Sequence, residues 1–210
     1  MPISKEIKEK LAQLFEPELL KKIYNNSTLK TAESDKIIVE IRDQIKFIPL
    51  VLEGRIKVEI RDGTGLGAFL HYIKPLELCP ISFYYGIQKK DSAIRCYTDS
   101  QLTYLAIPLV RAESWFNKYK SWRNYITKLT QQQQDYLITS VSQAFFNDVE
   151  YRLHYYLKQH LQFEKSKTIY IKHQEIAFDL NTSRETISRI LKKMEHKGNI
   201  ILGRNRITIC

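Results

Sequence analysis

Residues 173 to 210 read HQEIAFDLNTSRETISRILKKMEHKGNIILGRNRITIC, and their periodicity decides the fold of the C-terminal part of the chain. Ile176, Ala177 and Leu180 recur at helical spacing. A second helical pattern follows, with Ile187, Ile190, Leu191 and Met194 on one face. Asn181 stands between the two, where an asparagine tolerates left-handed backbone. Ala177 is small enough to let two helices cross closely. The final residues, NIILGRNRITIC, read as a β-hairpin.

Two short helices, a tight turn and a hairpin follow the order of a winged helix-turn-helix. The second helix sorts its residues by face. Arg184, Glu185, Ser188 and Arg189 lie opposite the apolar set, at positions i, i+1, i+4 and i+5. A helix docked in a DNA groove needs an apolar back, a polar front and long donors near its N-terminus. Arginine pairs bidentately with guanine O6 and N7, so these four are the candidate base readers. Thr182 and Ser183 both fit an N-cap, and Thr182 with Glu185 fits a capping box. Glu185 therefore has two readings: it caps its own helix, or it accepts from a cytosine amino group. The helix start and its hydroxyls on Thr182, Ser183 and Thr186 suit phosphate. Lys192, Lys193 and Arg204 add sequence-blind attraction.

Charge supports this reading. The chain of 210 residues carries a formal net charge of +10. Between Ser183 and Cys210, seven basic residues face two acidic ones, so this stretch alone carries +5. A basic balance favours a polyanionic partner. Hydrophobic residues make up 43% and charged residues 27%, as in an ordinary globular protein. The three cysteines, Cys79, Cys96 and Cys210, form no CxxC pair, so no zinc site is expected and a reducing cytoplasm suits them. The N-terminus lacks the apolar core of a signal peptide, and no apolar run is long enough to cross a membrane. No phosphate loop, GxSxG or HExxH occurs, so no enzymatic activity and no cofactor are expected.

Upstream, helical spacing of Leu11, Leu14, Phe15, Leu19 and Ile23 is interrupted at Pro17. From Ile37 to Pro108, short β-rich runs predict an antiparallel sandwich or barrel. In one run Ile56, Val58 and Ile60 alternate with Lys57, Glu59 and Arg61, the period of a half-buried strand, and Asp62-Gly63 supplies a hairpin turn. The helical period then returns. Trp122, Tyr125, Leu129, Gln132 and Tyr136 form a heptad-like seam, read either as a helix packed on its own β domain or as a dimerisation helix. Asn147 or Asp148 is the expected N-cap of the next helix. The fold class is α+β, with a β-rich domain over 1–120, a dimerisation helix and hinge over 121–146, and a DNA-binding domain over 147–210.

Residues 173 to 200, and SRETISR in particular, resemble the DNA-binding helices of the Crp/Fnr superfamily of bacterial transcription factors. The resemblance implies an N-terminal antiparallel, jelly-roll-like β-roll as sensor domain, a homodimer on an inverted-repeat operator, and action through RNA polymerase. It places Arg184, Glu185, Ser188 and Arg189 at base-reading positions, and Gln174 at a phosphate-contacting one. The sensor departs from the cyclic-nucleotide pattern of Gly-Glu-x-small followed by Arg-Ser/Thr-Ala. Glu77, Cys79, Ser92 and Ala93 mark the matching pocket, but Leu76 replaces the glycine and Asp91 the phosphate-pairing arginine. An aspartate there repels phosphate and has no fork donor. The expectation is a degenerate sensor. The alternative is a sensor whose DNA binding depends on a cyclic nucleotide, or on haem ligated by His71 or Cys79. Cys79 also fits a redox thiol near a helix start.

Overall fold

Proline shapes the first two helices of the computed structural model, which describes residues 3–61, 67–146, 148–161 and 166–210. Helix α1 (Lys5–Leu14) starts at Ser4, whose Oγ accepts from Ile7 N–H at 3.3 Å. Helix α2 (Pro17–Asn26) begins on Pro17, which has no N–H to lose at the first helical position. Leu11, Phe15, Leu19 and Ile23 are buried between these helices and the strands that follow.

Those strands are β1 (Thr28–Ala32), β2 (Ile37–Val39), β3 (Phe47–Glu53), β4 (Ile56–Arg61), β5 (Gly67–Ile73), β6 (Arg95–Thr98) and β7 (Leu102–Pro108), with helix α3 (Pro80–Ile87) between β5 and β6. They form two sheets, ordered β1-β7-β3 and β2-β6-β4-β5. Pro49 sits within β3, which is tolerated because β3 lies at the edge of its sheet, beside β7. Gly54, at φ 79°, makes the β3–β4 turn; a side chain there would collide with the Gln101 carbonyl.

Strand β4 differs from the expected alternation. Ile56 and Val58 enter the core, but Lys57 and Glu59 are also buried, at 3% and 1% exposure, while Ile60 is 42% exposed. Cross-strand pairing explains this. Lys57 stands opposite Tyr97 and Glu59 opposite Arg95 on β6. Lys57 Nζ lies 5.9 Å from the Tyr97 ring and Arg95 Nη1 3.6 Å from Glu59. Long side chains on neighbouring strands cover one another and bury their stems. The expected turn at Asp62-Gly63 lies outside the described residues.

Helices α4 (Leu109–Lys118) and α5 (Lys120–Phe146) follow β7. Trp122, Tyr125, Ile126 and Leu129 of α5 are buried in the core of the β domain. The Trp122 ring lies 5.4 Å from Phe15 and 5.6 Å from Trp115, and its indole N–H donates to the Ala112 carbonyl at 3.0 Å. The chain divides into two compact units within α5: Met1–Ile60 with Leu70–Leu137, and Arg61–Phe69 with Ile138–Cys210.

The second unit contains α6 (Val149–Leu161), β8 (Thr168–Tyr170), α7 (His173–Asp179), α8 (Arg184–His196), β9 (Ile200–Gly203) and β10 (Arg206–Ile209). Asp148 Oδ1 accepts from Tyr151 N–H at 2.9 Å and so starts α6; Asn147, the other expected cap, lies outside the described residues. Strands order β8-β10-β9 as an antiparallel wing. The core joins Leu153 and Leu157 to Ile176, Ala177, Ile187, Ile190, Leu191, Met194, Ile200 and Ile207.

Candidate nucleic-acid interface

The turn between α7 and α8 is held by residues that leave the front of α8 open. Asn181 takes φ 47°, as a turn asparagine can. Arg152 of α6 donates to the Leu180 carbonyl at 3.1 Å, and the Tyr156 hydroxyl donates to the buried Asp179 carboxylate at the end of α7. Ser183 is the N-cap of α8: its Oγ accepts from Thr186 N–H at 3.1 Å and lies 3.0 Å from the Thr186 hydroxyl. The N-cap is therefore Ser183 rather than Thr182, and its partner is Thr186 rather than Glu185. Glu185 is exposed in the first turn of the helix. Hydrogen bonds from its own N–H and from Ser183, then the charge of Arg184, lower its pKa below the usual 4.5.

Behind the front, Ile187, Leu191 and Met194 are at most 2% exposed. Arg184, Glu185, Arg189 and Lys192 are exposed, and Thr182, Thr186 and Ser188 half-buried. Two clefts flank α8. One, of about 300 Å³, lies between α7 and the wing and is lined by Lys172, His173, Gln174, Arg184, Gly203, Arg204 and Asn205. Three cations and no carboxylate line it, which suits an anion. Asn205, at φ 53°, makes the tight wing turn that presents Arg204. The other, of about 270 Å³, is lined by Thr186, Arg189 and Lys193 together with Asp148 and Glu150.

Lys193 is not a free cation. Its Nζ donates to Glu150 at 2.6 Å, and Lys197 lies 3.7 Å from the same carboxylate. The bond from Lys193 lowers the Glu150 pKa below its ordinary value. Glu150, His173 and Lys172 were not among the candidates read from the sequence. His173 Nδ1 lies 2.9 Å from Ser188 Oγ, a contact between residues 15 apart that no local pattern announces.

Three of the four residues of the expected ligand pocket are engaged within the β domain. Glu77 accepts from Lys74 N–H at 2.9 Å; burial raises its pKa. Leu76, where the family pattern has glycine, holds φ 66°. Cys79 is the N-cap of α3 and is buried beside Cys96, whose hydrogen bond lowers the Cys79 pKa. Ser92 is buried and bonds Ile94 N–H and C=O in its own turn, whereas Ala93 is exposed. His71 is buried with its Nε2 2.7 Å from the Gln133 amide nitrogen, and burial pushes its pKa down to about 4, so the ring is neutral. On α5 the buried glutamine is thus Gln133, while Gln132 is exposed and Tyr136 half-buried. Ile138 and Val141 of the same helix are 65% and 55% exposed. Among the described residues no cluster of three or more His, Cys, Asp and Glu could hold a metal ion, and no helix is long and apolar enough to cross a membrane.

Residues 151–210 match the Crp-like helix-turn-helix domain family. The chain matches none of the curated proteins. Its fold is similar to that of a Crp/Fnr-family transcriptional regulator described for Eubacterium rectale, at a TM-score of 0.80 and 20% identity over 95% of this chain and 92% of that one. It is also similar to CLP, a c-di-GMP-responsive global regulator of Xanthomonas campestris, at 0.79 and 16% identity over 92% and 99%. A Crp/Fnr-family regulator of Thermus thermophilus aligns at 0.73 and 14% identity over 87% and 93%.

Proposed function

Since residues 151–210 form a Crp-like helix-turn-helix domain and the chain has the fold of Crp/Fnr transcriptional regulators, we propose that it is a sequence-specific regulator of transcription that binds an inverted repeat as a homodimer. The observation that carries this reading is α8 itself: a fully buried apolar back, an exposed front of Arg184, Glu185 and Arg189 with half-buried Ser188, and a cation-lined cleft beside it. Arg184, Glu185, Ser188 and Arg189 read bases. Gln174, Thr182, Ser183, Thr186, Lys192, Lys193 and Arg204 meet phosphates. Exposed Ile138 and Val141 on α5 supply an apolar face for a second copy. Two recognition helices then meet half-sites about one helical turn, roughly 34 Å, apart. A signal acts by shifting the population between two dimer arrangements, and RNA polymerase is the partner that reads the outcome.

The test is selection of bound sites from random duplexes by the full chain, with mass measured by light scattering. A recovered inverted repeat bound by a dimer supports the reading; indifference to sequence overturns it. On the selected site, Arg189→Ala weakens binding by about 1–3 kcal/mol and relaxes one base position. An equal loss on random DNA argues against base readout. Lys192→Ala weakens all sequences alike and reduces the salt slope by about one. Lys193→Ala has a smaller effect, because Glu150 already holds that ammonium. Glu150→Gln releases Lys193 and Lys197, and salt titration then shows tighter, steeper binding to every duplex.

One observation favours ligand control. Among the described residues the buried Nδ1 of His71 has no hydrogen-bond partner, and a ligand acceptor placed between β5 and α5 would satisfy it. Duplex binding with and without cyclic mono- and dinucleotides, and absorption spectra with added haem, distinguish this from a constitutive regulator.

A further inference from the structure

Ser188 is the least specific of the four proposed base readers. A hydroxyl both donates and accepts, so alone it pairs with either kind of base edge. In this protein its Oγ is already bonded, at 2.9 Å, to His173 Nδ1. His173 is the first residue of α7, half-buried, in the cleft that also holds Lys172, Arg184 and Arg204. Burial, and then the charge of Arg184, lower its pKa and so favour the neutral ring. A neutral imidazole has one donor and one acceptor nitrogen. The intrinsically favoured tautomer carries its proton on Nε2 and leaves Nδ1 as an acceptor. In that tautomer Ser188 gives its only proton to His173 and has lone pairs alone to offer outward.

We propose that His173 is a positioning residue that makes Ser188 an obligate acceptor, so that Ser188 selects a base with an exocyclic amino group in the major groove, adenine or cytosine. The proposal rests on the reading that α8 meets base edges. It deepens that reading by assigning to α7 a share of the specificity. The bond also spans the two helices of the motif, so the direction of the Ser188 hydroxyl is set by how α7 and α8 pack. Substituting Ser188 alone therefore tests half of a two-residue device.

The test uses the full chain and the half-site it selects. Every half-site position is varied through four bases, and binding is measured for the wild type, Ser188→Ala, His173→Phe, His173→Asn and the Ser188→Ala/His173→Phe pair. The wild type is expected to prefer adenine or cytosine at one position by about fivefold, the worth of a single hydrogen bond. Ser188→Ala and His173→Phe each bring that preference within about twofold, and the pair loses no more than either alone. His173→Asn, whose carbonyl takes the place of Nδ1, retains it. Discrimination at the Arg189 position persists in all variants and shows that they fold and read DNA. A preference that survives His173→Phe overturns the proposal, as does a His173-dependent preference for guanine or thymine. If the wild type discriminates nowhere, base reading itself fails. If it discriminates elsewhere while His173 variants leave the Ser188 position unchanged, only this inference fails.

Discussion

Trp122→Ala is expected to destabilise the β domain by about 3–5 kcal/mol, the usual cost of deleting a large buried aromatic. Trp122 has no exposed surface. It packs against Phe15 of the α1–α2 junction, Trp115 of α4 and Tyr125 one turn along α5, with ring centroids 5.4, 5.6 and 5.7 Å away. Truncation removes those contacts, leaves a cavity, and strips the Ala112 carbonyl of its indole donor. Urea unfolding followed by circular dichroism measures the loss. Trp122→Phe keeps much of the volume and falls between wild type and alanine. A loss below about 1 kcal/mol would mean that α5 does not pack on the β domain as described.

The second large effect is Leu191→Ala, at about 2–5 kcal/mol in the C-terminal unit. Leu191 is fully buried among Ile176, Ile187, Met194 and Ile207. Its neighbour Lys192 is exposed, so Lys192→Ala is expected to stay within about 0.5 kcal/mol. The pair separates folding from binding: Lys192→Ala weakens DNA association without loss of stability, while Leu191→Ala lowers stability first. Hydrogen exchange at β8, β9 and β10 reports the latter. Equal stability of the two variants would contradict the assigned back of α8.

Much of the C-terminal unit was legible because its signals are local. Ile187, Ile190, Leu191 and Met194 repeat at helical spacing, and one amphipathic helix can bury only one face. Asn181 announces its turn through its own side chain. The N-cap was less sharply marked: Thr182 and Ser183 are chemically equivalent candidates, and the backbone of the turn chose Ser183. Strand β4 shows the limit of periodicity. Its Lys57 and Glu59 read as solvated, yet Tyr97 and Arg95 on the paired strand cover them. The seam of α5 was shifted for the same reason, since Gln133 finds a buried partner in His71 across the fold.

The order of residues alone therefore determined the succession of elements, the apolar back of α8 and the concentration of positive charge beside it. Each depends on side chains a few positions apart, whose relation is set by the 3.6-residue and two-residue periods. Tertiary structure alone decided which polar groups are engaged. Lys193 is held by Glu150, 43 residues upstream, and Ser188 by His173 on the preceding helix. Hydrogen bonds act over about 3 Å, so such pairings exist only once packing brings distant segments together, and charge or spacing along the chain does not reveal them.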